Sequence, residues 1–187
     1  MKIYLVRHGQ TNANKDKIIQ GRTDNPLNQT GIEQAKRVGK YFKDRGLVFD
    51  YCVSSPLIRA IHTSEIILET MALDKEIDIH KEIIERDFGA LDGQKIMDHY
   101  FEKVHNGLID DMEKDHEIEE RVMKYFNGFF KKYDYDNVLI VAHSHVIKAL
   151  LVNLVDDFEY DTYLKNASIQ ILERDQDIKV LDYNITN

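Results

Sequence analysis

Apolar residues in this chain fall into two rhythms. Ile3 to Val6 and Val138 to Ala142 are short unbroken runs, the pattern of strands buried on both faces. Between them, Ile32, Ala35, Val38 and Phe42 recur at helical spacing behind the capping-box pattern Thr30-Gly31-Ile32-Glu33, and Gly46 supplies a stop. A further strand, about Asp50 to Ser54, feeds a helix with Ser55 as N-cap and Pro56 as first residue, continuing through Ile61, Ile66 and Leu68. Residues 95–133 read as a mostly helical, strongly charged insert, expected to form a lid over the site. A helical pattern from Val146 to Leu154 follows directly on the second apolar run. Two β-rich segments, Ser168 to Leu172 and Ile178 to Tyr183, flank the polar turn Arg174-Asp175-Gln176-Asp177 and predict a hairpin or neighbouring edge strands. There is no repeat, low-complexity tract or hinge, and 187 residues suit one domain.

The chemistry lies where the apolar runs stop. Ile3 to Val6 ends in Arg7-His8-Gly9, and Val138 to Ala142 ends in His143. Two strands therefore aim two histidines at the carboxyl edge of a sheet, where open α/β folds bind ligands. Ser54-Ser55-Pro56-Leu57-Ile58-Arg59-Ala60 and Glu85-Arg86-Asp87-Phe88-Gly89 lie between them, each after a predicted strand.

This ordered set resembles the histidine phosphatase superfamily, also called phosphoglycerate mutase-like. The resemblance runs from Arg7-His8-Gly9-Gln10-Thr11-Asn12-Ala13-Asn14 through Pro26-Leu27 and Gly31 to Asn166-Ala167-Ser168-Ile169. It implies a three-layer αβα sandwich with a mostly parallel central sheet, and a phosphoryl-transfer enzyme. A neutral imidazole attacks phosphorus once its other nitrogen is fixed, so His8 is the candidate nucleophile. Arg7 and Arg59 suit the phosphate oxygens, because guanidinium forks bind them in pairs and stay charged. His143, before a helix N-terminus that favours anions, is a second donor. Glu85 matches the family's acid/base position. Asn14 and the loop Gln20-Gly21-Arg22-Thr23 are expected to add polar contacts to the phosphate. Two alternatives stay open at Glu85: Glu82 could face the pocket in its place, and Glu85-Arg86 could be a surface ion pair.

The sequence departs from the family twice. Ser144 and His145 follow His143 where relatives usually carry small or amide residues; both are candidate substrate contacts, with His145 either lining the pocket or facing away. The insert is acidic, with Asp98, Glu102, Asp110, Asp111, Glu113, Asp115, Glu117, Glu119 and Glu120, where phosphoglycerate mutases carry an arginine pair for a second anionic group. No arginine appears from Asp98 until Arg121. This favours a phosphatase over a mutase, if the insert covers the pocket.

Composition narrows the partners. A formal net charge of -8 with no basic stripe argues against nucleic-acid binding. Without a secretory pattern or a long apolar run, no membrane contact is expected and the cytoplasm is the default location. The lone Cys52 sits in an apolar stretch as a small core residue. His62, His80, His99, His105 and His116 have no motif around them and read as surface or structural. The expected activity is hydrolysis of a small-molecule phosphomonoester with no cofactor and no metal. Three alternatives remain: a cofactor-dependent phosphoglycerate mutase, a metal-dependent hydrolase using His143 and His145, and a non-catalytic phospholigand-binding regulator. The oligomeric state is open.

Overall fold

Alternation along the strands sets the layers. In the computed structural model, which describes residues 1–106 and 109–186, β1 (Lys2–Arg7) and β4 (Asn137–Ala142) pair in parallel with Arg7 opposite Ala142. Ile3 and Leu5, with Val138, Ile140 and Ala142, face one side of the sheet, and Tyr4 and Val6, with Leu139 and Val141, face the other. Each side is covered by helices, as strands with apolar residues at every position require. The first side packs α5 (Asp115–Lys132) and α6 (Ser144–Leu154) through Ile118, Val122, Phe126, Val146 and Leu150. The second packs α2 (Gln29–Asp44) and α3 (Ile58–Met71) through Val38, Phe42, Ala60 and Ile67. Two short helices, α1 (Asn12–Lys15) and α4 (Tyr100–His105), lie outside these layers.

The six strands run in the order β3-β2-β4-β1-β5-β6, with β2 (Tyr51–Ser54), β3 (Asp78–Ile79), β5 (Ile169–Arg174) and β6 (Ile178–Ile185). The pairs β1·β4, β2·β4 and β2·β3 are parallel, and β5 and β6 form the expected antiparallel hairpin beside β1. The chain leaves β1, builds β2 and β3, and returns to place β4 between β2 and β1. That insertion makes His8 and His143 neighbours.

Several local expectations shift. Asn28, not Thr30, caps α2, its side chain accepting from Gly31 N at 2.9 Å. Gly46 ends the helix as expected, at φ +63° with its N–H on the Lys43 carbonyl. At α3 the helix begins at Ile58 rather than Pro56, and Asp24 Oδ1 caps it by accepting from Ile58 N at 2.7 Å. The Ser55 hydroxyl is turned instead to His143. The segment 95–133 is divided. Its second half, α5, is a layer helix whose apolar face is core, because Ile118, Val122, Phe126 and Phe130 recur every fourth residue. Only its first part, around α4, remains outside the sandwich, where Tyr100, Val104 and Met112 pack on Ile19 and Phe88. Cys52 is buried in the α2/α3 layer as expected.

The loop after β1 is locked by a close backbone approach to α2. A Cβ at Gly31 would sit 2.1 Å from the Gln10 carbonyl oxygen, and one at Gly9 would sit 2.5 Å from the Gly31 oxygen. Alanine for glycine inside a helix ordinarily stabilises by up to about 1 kcal/mol. Here the opposing atoms are backbone, so Gly31→Ala is expected to destabilise by about 1–3 kcal/mol, as overpacking does, and to lower turnover by displacing the segment that carries His8. Urea unfolding checks the sign, and an unchanged or raised midpoint refutes the close approach.

Candidate active site

Register delivers the two histidines together. His8 continues β1 and its N–H bonds the Ala142 carbonyl at 3.0 Å, so its ring meets that of His143, one residue beyond β4, at 5.2 Å between centroids. Both rings are buried. His8 Nδ1 lies 2.7 Å from its neighbour Gly9's carbonyl oxygen, which can only accept, so the proton sits on Nδ1 and Nε2 keeps its lone pair. Ser55 Oγ lies 2.6 Å from His143 Nε2. With that hydroxyl as donor, His143 Nδ1 carries a proton, and it is buried with no partner among the described residues.

The arginines are held by backbone carbonyls, with no carboxylate among the described residues paired to either. Arg59 is fully buried and donates from Nη1 to Thr23 O at 2.8 Å and from Nη2 to Gly21 O at 2.6 Å. Arg7 donates to Leu164 O. Each keeps a buried Nε without a partner among the described residues. Burial pulls Arg59 down to about 10, with Glu85 opposing the shift, and lowers Arg7 for the same reason. Burial followed by the two guanidinium charges pushes His8 and His143 well below the usual imidazole range, which keeps both neutral.

Glu85 is buried, so it is not half of a surface ion pair. Its carboxyl accepts from Arg86 N at 2.9 Å and from His145 N, in the first turn of α6, at 3.2 Å. Burial raises its pKa; those amides and the Arg59 and Arg7 charges oppose the rise. Glu82 is exposed and does not face the site. Arg86, fully buried, turns to Asp115 at 2.7 Å and to the Glu113 carbonyl at 2.8 Å.

The remaining expected residues divide. Asn14 Oδ1 accepts from Asn166 Nδ2 at 3.1 Å, and Asn166 also donates to His8 O at 3.3 Å, so Asn14 is tied to the His8 loop. The Gln20 side chain is taken by Thr11 at 2.9 Å and Asn25 at 3.0 Å, and Gly21 contributes the carbonyl that holds Arg59. Ser144 is half-buried at the start of α6. His145 is buried beside the site, edge-on to Phe88 at 5.0 Å and stacked 6.1 Å from His105, with Nε2 unpartnered among the described residues. His143 and His145 thus turn to different neighbours. Among the described residues no three His, Cys, Asp or Glu side chains are grouped to hold a metal.

Sequence reasoning missed some members. Thr63, one turn after Arg59, takes the Gly9 N–H at 3.0 Å. His105 borders the site and is not an isolated surface residue, because α4 brings it against His145 and Tyr160. Lys148 is buried, feels Arg7 and Glu85, and is lowered by burial to about 8. A single lysine inside the apolar run Val146 to Leu151 was the available signal. A separate groove of about 980 Å³ lies between α5 and the β3 edge, lined by His80, Tyr125, Phe129 and Tyr133, and takes in Glu82 but neither histidine of the site, nor Arg7, Arg59 or Glu85.

Comparison with known proteins agrees with this geometry. The profile of the histidine phosphatase superfamily (branch 1) matches residues 3–186. The phosphatase PhoE of Bacillus subtilis is 36% identical over 99% of this chain and 95% of its own. A 2,3-bisphosphoglycerate-dependent phosphoglycerate mutase of Parvibaculum lavamentivorans is 32% identical over 81% of this chain and 79% of its own. A mutant phosphoserine phosphatase of Entamoeba histolytica, solved with phosphoserine, superposes with TM-score 0.82 and 25% identity over 98% of this chain and 96% of its own.

Three buried histidines have a consequence for stability. His8, His143 and His145 all titrate well below 6.5, chiefly through burial, so the native state binds fewer protons than the unfolded chain. Their contribution to stability should be flat above about pH 6.5 and fall below it, by up to about 1.4 kcal/mol per pH unit for each group; Lys148, lowered to about 8, adds a separate rise in stability only as pH climbs above that value. Glu85, raised, acts oppositely and offsets part of this as pH falls toward 4.5. Urea midpoints in phosphate-free buffer should drop between pH 7 and 5.5, and His145→Gln should shallow the slope; a flat profile refutes neutral burial.

Proposed function

The chain belongs to the histidine phosphatase superfamily, and we propose that it is a phosphomonoester hydrolase that works without a metal through a phosphohistidine at His8. The observation that carries this reading is the buried His8 ring, held at Nδ1 by Gly9 so that Nε2 is free to attack, with arginine and imidazole N–H groups unpartnered around it. Nε2 attacks phosphorus while the bond to the leaving oxygen breaks, and that oxygen takes the proton of Glu85. Arg7, Arg59 and His143 meet the charge on the equatorial oxygens. Water then attacks phosphohistidine, gives its proton to Glu85, and phosphate leaves as His8 is restored. Ser144 and His145 lie on the Glu85 side, where the leaving group departs, Asn14 and Gln20 support the segment that follows His8, and Gly21 holds Arg59 of α3 through its carbonyl.

The substrate is a small phosphorylated metabolite, and the reading places the protein in the cytoplasm with no nucleic-acid or membrane partner. Among the described residues no helix is long and apolar enough to cross a membrane. The mutase alternative is not favoured, for a reason other than the repulsion expected from the acidic insert. Glu113 and Asp115 are already neutralised by Arg121 and Arg86. Arg121, with every nitrogen engaged by Glu113 and the Glu82 and Ile84 carbonyls, is not left to clamp a second anionic group.

Two experiments test the chemistry. His8→Ala should abolish an acid-labile, alkali-stable phosphoenzyme and nearly all hydrolysis, while wild-type activity should survive a chelator. Normal turnover by the variant removes the covalent mechanism, and loss of activity with chelator restores the metal alternative. Glu85→Gln should slow single-turnover phosphoenzyme formation from alkyl phosphates by about a hundredfold or more, yet spare an aryl phosphate, whose leaving group needs no proton. Equal losses point away from Glu85 as the acid.

A further inference from the structure

Glu85 is fixed by a device outside the residues that touch the reacting phosphate. It sits in a short irregular segment between two 3-10 turns, Lys81–Ile83 and Gly89–Leu91, and lies in neither of them. The groups that do hold it converge on one ion pair. Arg121 on α5 donates from Nε and Nη2 to the two carboxylate oxygens of Glu113, at 2.8 and 2.9 Å. Its remaining Nη1 donates to the carbonyls of Glu82 at 2.7 Å and Ile84 at 3.1 Å. Glu113 grips the other side: its carboxylate accepts from Asp87 N at 3.2 Å, its N–H donates to Asp87 O at 2.9 Å, and its carbonyl accepts from Arg86 Nε at 2.8 Å. The backbone on both sides of Glu85 is therefore anchored to α5, a helix rooted in the core by Ile118, Val122 and Phe126.

We propose that the Arg121–Glu113 pair is a positioning clamp for the general acid, holding the 82–87 segment so that the Glu85 carboxyl meets the leaving oxygen. The proposal rests on the reading of Glu85 as that acid. Neither clamp residue is hydrogen-bonded to His8, His143, Arg7 or Arg59; the Arg121 charge reaches His143 only through space, and lysine at 121 would retain it. The pair is about four-fifths buried, with side chains 22% and 12% exposed, and its fork is bidentate, a geometry that fixes direction as well as charge. Lysine retains the charge at position 121 but cannot bridge a carboxylate and two carbonyls at once. Displacing a reacting group by about 1 Å costs on the order of a hundredfold.

The test is single-turnover phosphoenzyme formation by Arg121→Lys and Glu113→Gln, each alone and combined with Glu85→Gln. Circular dichroism and urea unfolding select variants that fold, and Glu113→Gln keeps the side-chain volume should the arginine variant not fold. On an alkyl phosphate both variants should lose about tenfold to a hundredfold in rate. Rates on an aryl phosphate and affinity for inorganic phosphate should change less than about threefold, because His8 and the arginines are untouched. In the Glu85→Gln background the clamp substitutions should add nothing further. Equal losses on both substrates, no loss on the alkyl ester, or full additivity with Glu85→Gln each overturn the clamp. Failure of the acid assignment shows separately, as a Glu85→Gln single variant with no preference between the two esters; non-additivity still reports whether the pair acts through Glu85.

Discussion

Burying two guanidinium groups beside two imidazoles is the constraint around which this protein is organised. An unpaired buried charge is costly, and a carboxylate partner for each arginine would neutralise the site that has to attract an anion. The chain resolves this with backbone carbonyls. Gly21 and Thr23 hold Arg59, and Leu164 holds Arg7, so both cations are hydrogen-bonded without an ion-pair partner among the described residues, and Glu85, Asp24 and Asp92 act on Arg59 only through space. Burial, reinforced by the same field, keeps both imidazoles neutral, His8 with a lone pair at Nε2 and His143 with a proton to donate at Nδ1.

The rest of the architecture follows from keeping that arrangement rigid. The Gly9–Gly31 approach and the Thr63 hydroxyl pin the loop after β1, Asn166 and Asn14 tie it to the start of β5, and Asp24 binds the Arg59 loop to the first turn of α3. Glu85 belongs to a second body of structure, bound to α5 and α6. Glu85 and His8 are thus supported by helices on different faces of one sheet, with the sheet edge as their common reference, and Phe88, His145, His105 and Lys148 border the Glu85 side.

Legibility followed sequence locality. Arg7, His8 and His143 could be placed because each ends an apolar run, and a run buried on both faces has only one edge at which to end. Glu85 and Arg59 needed the ordered set of motifs, since a lone glutamate or arginine is ordinarily a solvated charge. The caps fall elsewhere than Thr30 and Ser55 because other side-chain oxygens accept from the first-turn N–H groups: Asn28, two residues earlier, for α2, and Asp24, distant in sequence, for α3, where Ser55 is turned to His143. The charged stretch 95–133 hid a core helix because Ile118, Val122, Phe126 and Phe130 are outnumbered by lysine and glutamate on the outer face of α5.

Periodicity and strand-end chemistry in the chain were enough to specify the buried strands, the paired histidines and Arg7, since those depend on which residues are apolar and where a strand stops; the three-layer sandwich and Arg59 rested on the ordered motifs and the family they resemble. Tautomer, protonation and support were decided only on folding. Nothing in the order of residues shows that Gly21 will meet Arg59, that His105 will stack on His145, or that Arg121 will reach Glu82, Ile84 and Glu113 at once. Those contacts join positions far apart along the chain, and their strength comes from burial, which exists only when the layers have closed.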